Sequence, residues 1–399
     1  MNTSEGVQGD FFELPIFDTL ASLLSDDGKP GVVVIGCGRH KLQSAARVSH
    51  LYTSSRFQRS RAIAENLGAR YFVLSAKHGL VAPDKIIEPY DFQIKNLSVS
   101  EKCAWARSAL DSLATLAQDT VVTFLAESDY VDPLLFCNSD RNPPLNLLTP
   151  LKTLAPEHMP LWLEQAEQMS IRVRDLKKLY AIIDDARTMG LTFKFSNFSQ
   201  ARIPKRGVYV FLDPREQNFT KSGPRIVRIG THAVSLESKS TLRTRLRSHF
   251  GQVDGAGNHR GSIFRLHVGR ALLDSDELQR QYKTWGEGQH ASAEVRENEL
   301  DHERKVSRYL NDLEVFVIPI DDEPSKDSLR AHFETQLIAL CTENFEVIEK
   351  PSTNWLGRHS PMAPIVRSGL WNLRDVAKRY KPDDLGSISH LISIQGKQT

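Results

Sequence analysis

Apolar positions fall into two regimes along the chain. In the first third they form short unbroken runs: "GVVVIGCG" at 31–38, "RYFVLSA" at 70–76 and "TVVTFLA" at 120–126. Between them lie two stretches with helical spacing, "SSRFQRSRAIAENLG", closed by Gly68, and "SEKCAWARSALDSLATLA". Runs without in–out alternation, separated by helices, predict strands covered on both faces. The implied fold is α/β, with a largely parallel sheet flanked by helices. Beyond residue 200 the pattern is mixed. It predicts strands at 207–212, 225–230, 262–268 and 314–319, and helices at 241–249, 293–310 and 328–341, an α+β order with insertions. Proline and asparagine in "NSDRNPPLNLLTP" and "LAPEHMP" break regular structure between the halves. Domains are therefore expected at 29–137 and 200–399, joined over 138–199 by a proline-rich linker and a connecting helix near 165–188.

The 399 residues are 40% hydrophobic and 25% charged, ordinary for a soluble protein of two or three domains. No apolar run reaches membrane-spanning length, and "MNTSEGVQGDFFELPIF" lacks the basic flank and apolar core of a secretory leader. Cys37, Cys103, Cys137 and Cys341 are scattered without metal-ligand spacing. They are expected as reduced small side chains in a cytoplasmic protein. The formal net charge of +2 says little, but residues 202–270 hold 14 Lys/Arg against 4 Asp/Glu. Such a block fits a polyanion; it also fits a solvated face matched to an acidic neighbour. The glycines of "IGCG" lack dinucleotide-fingerprint spacing and "GCGRHK" lacks the phosphate-loop pattern, so no nucleotide cofactor is expected.

Within the basic block, Gly207-Val208-Tyr209 opens one predicted strand and Arg228-Ile229-Gly230 closes the next. "TLRTRLRSHF" sets Arg245 and His249 four apart on one helical face, "AHFETQLIAL" offers Glu334, and "PSTNWLG" offers Asn354. In this order the segments resemble the GIY-YIG nuclease superfamily. The resemblance implies a domain over 200–399 that hydrolyses phosphodiester bonds in DNA, with RNA left open. It places Tyr209, Arg245, His249, Glu334 and Asn354 at catalytic positions, and makes Glu334 the ligand of Mg²⁺ (or Mn²⁺). The chemistry agrees with those residue types. Phosphodiester hydrolysis needs an activated water, a neutralised phosphoryl group and a stabilised leaving oxygen. One carboxylate can hold Mg²⁺ while waters complete its shell, and an arginine fork can span two phosphate oxygens. Tyr209 can pass a proton or a hydrogen bond to the attacking water, and Asn354 can orient groups by hydrogen bonding.

This chain departs from the family in places. Arg228 stands where the second motif usually carries tyrosine. A permanent cation can bind phosphate but cannot serve as a base at pH 7, so His232 or His249 would take that role. "THAVSLESKS" lengthens the path from Gly230 to Arg245. A further insert, "GAGNHRGSIFRLHVG", gathers Asn258, His259, Arg260, Ser262 and Arg265, which either clasp a phosphate backbone or pack an extra strand. Trp371, in "GLWNL", reads as core, and Trp355 as a ring facing the substrate. Each residue taken alone also has a plain structural reading: Tyr209 packed in a strand, Arg245 and His249 solvated, Glu334 outside a core helix, Asn354 in a turn. Their order within one basic region carries the nuclease reading.

The first half holds a second set of motifs: "VVVIGCGRHK", "SHLYTSSRFQRSRAIAE", "YFVLSAKHGLVAPDKIIEPYD" and "TFLAESDY". They resemble an uncharacterised bacterial domain family. The pattern is also similar to the YaaA-type peroxide-stress proteins and, more remotely, to glycosylase-like modules found with deazaguanine-modifying enzymes. Cys37, Ser75, Lys77, His78 and Glu127 follow the ends of predicted strands, where ligands of open parallel sheets gather. Arg39, Lys41, Lys77 and His78 can engage phosphate, and Tyr52 or Tyr90 can stack on a base. Glu88, Asp91 or Glu127 can polarise water against a glycosidic carbon. The resemblance thus implies recognition, or excision, of a modified base. The same residues equally suit turns, caps and core.

Taken together, the sequence points to a cytoplasmic, metal-dependent endonuclease with a base-recognising or glycosylase-like N-terminal domain, suited to defence by restriction of foreign or modified DNA. The partner is DNA rather than a membrane, and a homodimer stays open. Two other classes remain: a non-catalytic nucleic-acid binder with a degenerate nuclease domain, and a scaffold that docks an acidic protein.

Overall fold

The computed structural model describes residues 31–117, 120–382, 385–388 and 390, so the expectation about a secretory leader lies outside the described residues. The chain divides into two compact units, Met1–Arg174 and Asp175–Thr399.

The first unit is an α/β layer. Its elements are β1 (Val32–Gly36), α1 (Ser55–Leu67), β2 (Arg70–Ser75), β3 (Gly79–Val81), α2 (Val99–Leu116), β4 (Val122–Leu125), α3 (Ser128–Ser139) and β5 (Leu147–Leu148). The sheet order is β3-β2-β1-β4-β5. β1 runs parallel to both β2 and β4, β4 parallel to β5, and only β3 is antiparallel to its neighbour. The unbroken apolar runs follow from this placement. β1 and β4 have sheet neighbours on both edges, and Val33, Val34, Val122 and Phe124 are buried. Ser54 caps α1 by accepting from Phe57 N, and Gly68 ends it in the left-handed region at φ 68°. Because β2 lies on one side of β1 and β4 on the other, the connections diverge at the carboxyl ends of β1 and β4. That divergence is a topological switch point, where such sheets bind ligands.

The second unit is an antiparallel sheet with helices. It comprises β6 (Thr192–Phe193), β7 (Gly207–Gln217), β8 (Pro224–Gly230), α5 (Leu242–Phe250), α6 (Ile263–Ser275), α7 (Ala293–Asn311), β9 (Glu314–Pro319) and α8 (Leu329–Thr342), in sheet order β8-β7-β9-β6. The register sets Tyr209 opposite Gly230 and Phe211 opposite Arg228, with a bulge between Ile226 and Arg228. Both motif glycines have steric causes. A Cβ at Gly207 would overlap the Ile318 carbonyl, and one at Gly230 would overlap the Tyr209 phenol. Tyr209, Phe211, Phe250, Phe264, Trp355 and Trp371 share the core.

One expectation about elements is corrected. Residues 262–268 do not form a strand; they open α6, because the Ser262 hydroxyl accepts from Arg265 N and Phe264, Val268 and Ala271 recur at helical spacing on the buried side. Within 138–199 the connecting helix is present as α4 (Met159–Thr188); in addition, Leu147–Leu148 extends the first sheet and Thr192–Phe193 pairs with β9 in the second. Proline breaks that interval into pieces, but each sheet recruits one.

Candidate functional site

In the second unit the end of β8 meets the start of α8. Thr231, just past Gly230, donates its backbone N–H to Glu334 Oε1 at 3.1 Å. One turn earlier, Arg330 is wholly buried and donates to the carbonyls of His232 (2.7 Å) and Ala233 (3.4 Å), while also pairing with Asp322. Arg330 and Glu334 are four apart, so one helical face grips the whole 231–233 turn. Burial pushes the Glu334 carboxyl above its ordinary range, and Arg228, the Thr231 N–H and Arg245 pull it back. Asp375, at φ 65°, adds a second negative charge nearby.

Below this turn, Tyr209 Oη lies 2.9 Å from His249 Nε2, and His249 Nδ1 lies 2.8 Å from Ser262 Oγ. Burial drives the His249 imidazole well below its usual value, and Arg228, Arg245 and Arg265 reinforce the shift, so the ring is neutral. With the proton on Nδ1, Nε2 is free to accept from the phenol. Arg228 is held by the Trp371 carbonyl and by the Phe264 ring, 4.7 Å from its guanidinium. His232 is brought down to about 4 by burial first and by Arg330 and Arg245 after it. Neither of its ring nitrogens has a well-formed hydrogen bond, although the Lys205 carbonyl lies close. The Nε atoms of Arg228 and Arg245 also lack partners. Cations and a neutral imidazole with unused hydrogen-bonding atoms, around one carboxylate, make a centre suited to an anion such as phosphate. The Glu334 carboxylate accepts one hydrogen bond among the described residues, through Oε1. Among the described residues no three His, Cys, Asp or Glu side chains gather as a metal cage. One or two carboxylates completed by water fit Mg²⁺ or Mn²⁺ better than a metal that demands a full protein shell.

Tyr209, Arg228, His232, Arg245, His249 and Glu334 therefore come together. Tyr209 and His249, 1% and 0% exposed, lie beneath the floor, whereas Arg245 and Glu334 reach its surface. Asn354 does not join them. It is exposed, two residues from Ser352, whose hydroxyl binds Glu216 at the opposite end of β7. The asparagine beside the site is Asn372, whose side chain donates to the Ile229 carbonyl (2.8 Å) and accepts from the Ile229 N–H (3.2 Å). It stands in for a neighbouring strand on the free edge of β8. Trp355 is also corrected: it is buried beside Trp371, with the Arg225 guanidinium over its ring at 5.2 Å, and faces no substrate.

The phosphate clasp expected at His259, Arg260 and Arg265 is an internal network instead. Arg265 is fully buried and pairs with Glu303 at 2.5 Å, His259 Nδ1 lies 2.9 Å from the same carboxylate and its ring stacks on Trp285, and Arg260 pairs with Glu299 at 2.6 Å. Their charges are answered inside the fold and cannot reach a backbone. Sequence reasoning missed Arg330, Asn372 and Asp375. Only the four-residue spacing of Arg330 from Glu334 could have hinted at one of them.

The first unit carries a cavity of about 430 Å³ at the switch point, lined by Gly36, Cys37 and Gly38 after β1 and by Leu125, Ala126 and Glu127 after β4. Arg39, Lys41, Asp91 and Glu127 line it as well, whereas Lys77, His78 and Glu88 are exposed outside it. Neither stacking tyrosine is available in the way expected. Tyr52 is buried, with its ring 4.9 Å from Phe57 and its hydroxyl 3.0 Å from that of Tyr90. The Tyr90 face is covered by Lys41 Nζ at 4.4 Å, and its hydroxyl lies 2.6 Å from Ser75 Oγ. Glu127 is tied to Arg56, and Cys37 Sγ lies 3.1 Å from the Tyr130 hydroxyl. All four cysteines are free.

The second unit thus combines an antiparallel sheet, whose second-strand glycine presses on a phenol, with a helix whose glutamate lies near two arginines. Residues 170–398 match the model of the GIY-YIG domain, more than half of the chain, and the chain belongs to that family. Residues 32–165 match a family of unknown function (DUF6884), which gives no support to the peroxide-stress or glycosylase resemblance. No curated protein and no solved structure matches the chain. No described helix is long and apolar enough to cross a membrane.

Proposed function

We propose that the second unit is a divalent-metal-dependent endonuclease acting on DNA, and that the first unit recognises the nucleotide to be acted on. The observation that carries the nuclease reading is the surrounding of Glu334 by Arg228 and Arg245, each with a guanidinium nitrogen that has no hydrogen-bond partner among the described residues. Glu334, with Asp375 nearby, would hold Mg²⁺ or Mn²⁺, which when bound neutralises phosphoryl charge and acidifies water. Arg245 binds phosphate oxygens directly, and Arg228 adds positive charge from beneath. His232 replaces the absent second tyrosine: it is neutral at pH 7, the Lys205 carbonyl lies close to its ring, and its unprotonated nitrogen can take the proton of the attacking water. The Tyr209–His249–Ser262 chain holds the floor in register under Arg228. Base excision would fall to Asp91, the lining carboxylate among those considered that carries no ion pair among the described residues.

The test is incubation of the full chain with supercoiled and linear duplex DNA, plain or base-modified, and with RNA, in Mg²⁺, Mn²⁺ or chelator. Nicked or linear DNA only with the ions supports the reading. Salt-sensitive binding without cutting under either ion would favour the non-catalytic alternative, which Arg228 in place of tyrosine motivates.

A further inference from the structure

The switch-point cavity lies in the first unit, and its lining is apolar, cationic and acidic in different parts. Phe57, Phe92, Leu125 and Leu163 form an apolar wall, and Arg39, Lys41 and Lys95 bring positive charge to it. Other cations at the cavity are already matched. Arg56 pairs with Glu127, and Arg59 with Glu164 and, at 2.9 Å, Glu167. Arg39, Lys41 and Lys95 carry no ion pair among the described residues, and Arg39 and Lys95 are exposed.

Backbone closeness keeps this space open. A Cβ at Gly36 would press on Ala126 Cβ at 3.0 Å, and one at Gly38 on Ser54 Oγ at 2.8 Å. Glycine at both positions lets the exit of β1 run against the exit of β4 and the first turn of α1, with the cavity between them. Ser54, the cap of α1, and Ser55, its first residue, also line it, so the amino end of a thirteen-residue helix adds to the positive potential of the three side chains. The volume of about 430 Å³ lies in the range of small-ligand sites, about 300–1,000 Å³, and is far too small for a duplex.

We propose that this cavity binds a single nucleoside monophosphate, its phosphate held by Arg39, Lys41 and Lys95 and its base laid against the wall of Phe57, Phe92 and Leu125. Asp91 and Asp129, which line the cavity without an ion pair among the described residues, accept hydrogen bonds from sugar hydroxyls or exocyclic amino groups. The same chemistry serves a free nucleotide and a nucleotide turned out of a strand. The inference rests on the reading of the first unit as a recognition module and is independent of the nuclease reading.

Calorimetric titration of the full chain tests it, with each 2′-deoxynucleoside 5′-monophosphate, with inorganic phosphate and with a short single-stranded oligonucleotide. At least one monophosphate is expected to saturate about tenfold more tightly than phosphate, and to lose about tenfold in affinity in Arg39→Glu and in Lys95→Glu. Glu334→Gln should leave this binding unchanged. Binding of the oligonucleotide alone, with the same sensitivity to charge reversal, assigns the site to an extruded nucleotide. The proposal is overturned if inorganic phosphate binds as well as every nucleotide, or if neither reversal weakens any titrant. Loss of cutting in Glu334→Gln alongside such a result would leave the nuclease reading standing.

Discussion

Both units pair some of their cations with carboxylates, but they leave the others in different settings. In the second, Arg206, Arg215, Arg225, Arg260 and Arg265 each meet a carboxylate, at 3.1, 2.7, 3.3, 2.6 and 2.5 Å respectively. Five of the fourteen cations in the basic block that reads along the sequence as a footprint for a polyanion are thus answered from within, while around Glu334 the Nε atoms of Arg228 and Arg245 have no hydrogen-bond partner among the described residues. The first unit has a basic run of its own, six Lys/Arg and no Asp/Glu over residues 39–61, and there Arg39, Lys41 and Lys95 face one cavity without an ion pair among the described residues. Local charge counts report how many cations a segment has. They do not report on which side of the fold those cations lie, because the answering carboxylates arrive from distant segments such as α7.

That contrast can be broken by substitution. The largest effect is expected for Arg265→Ala, which leaves Glu303 buried with only His259 as partner and should cost about 3–5 kcal/mol in denaturant unfolding. Arg39→Ala, at an exposed position, should change stability by at most about 0.5 kcal/mol. Equal effects from the two would erase the distinction between structural and available cations.

Next comes pH. Glu349 accepts from the Tyr180 hydroxyl (2.7 Å) and Phe219 N (2.9 Å), and burial raises its carboxyl to about 7. The native state then holds a proton that the unfolded chain releases near pH 4.5. This contribution to stability is full below that value and lost as pH rises through 7, about 3 kcal/mol across the window. Neutral His232 and His267, each lowered to about 4, act in the other direction and cost stability as pH falls from 6.5 towards 4. Glu349→Gln should remove the alkaline loss and keep the acid one, so the gap in unfolding midpoint from wild type should change between pH 5 and 8. A constant gap would mean that Glu349 is ionised throughout.

A smaller effect is expected at Tyr209. A phenol beneath the floor positions other groups rather than touching the attacking water, so Tyr209→Phe should lower DNA cutting by about tenfold, less than the hundredfold or more typical of a direct acid–base group. Measured under single-turnover conditions, a thousandfold loss would instead make Tyr209 a direct participant.

The parallel sheet was legible because unbroken runs such as "VVVI" have one physical use, a strand with both faces covered. The helix at 263–275 was not, since Arg265 and His267 are polar yet buried, and they imitate the in–out alternation of a strand. Trp355 and His259 misled for a related reason: each is buried against a partner, Trp371 or Trp285, that lies outside its own local segment. At the site, chain order sufficed to bring Tyr209, Arg245, His249 and Glu334 into one region. Asn372 escaped because its signal is a pair of hydrogen bonds to a strand edge, which no spacing encodes.

The central claim is that Glu334 anchors the cutting centre while substrate is held by other groups. Mg²⁺-dependent cleavage and DNA affinity should be measured on the same preparation of wild type and Glu334→Gln. The account predicts a fall in cleavage of about a thousandfold with affinity within about threefold of wild type. Undiminished cleavage by Glu334→Gln would contradict it.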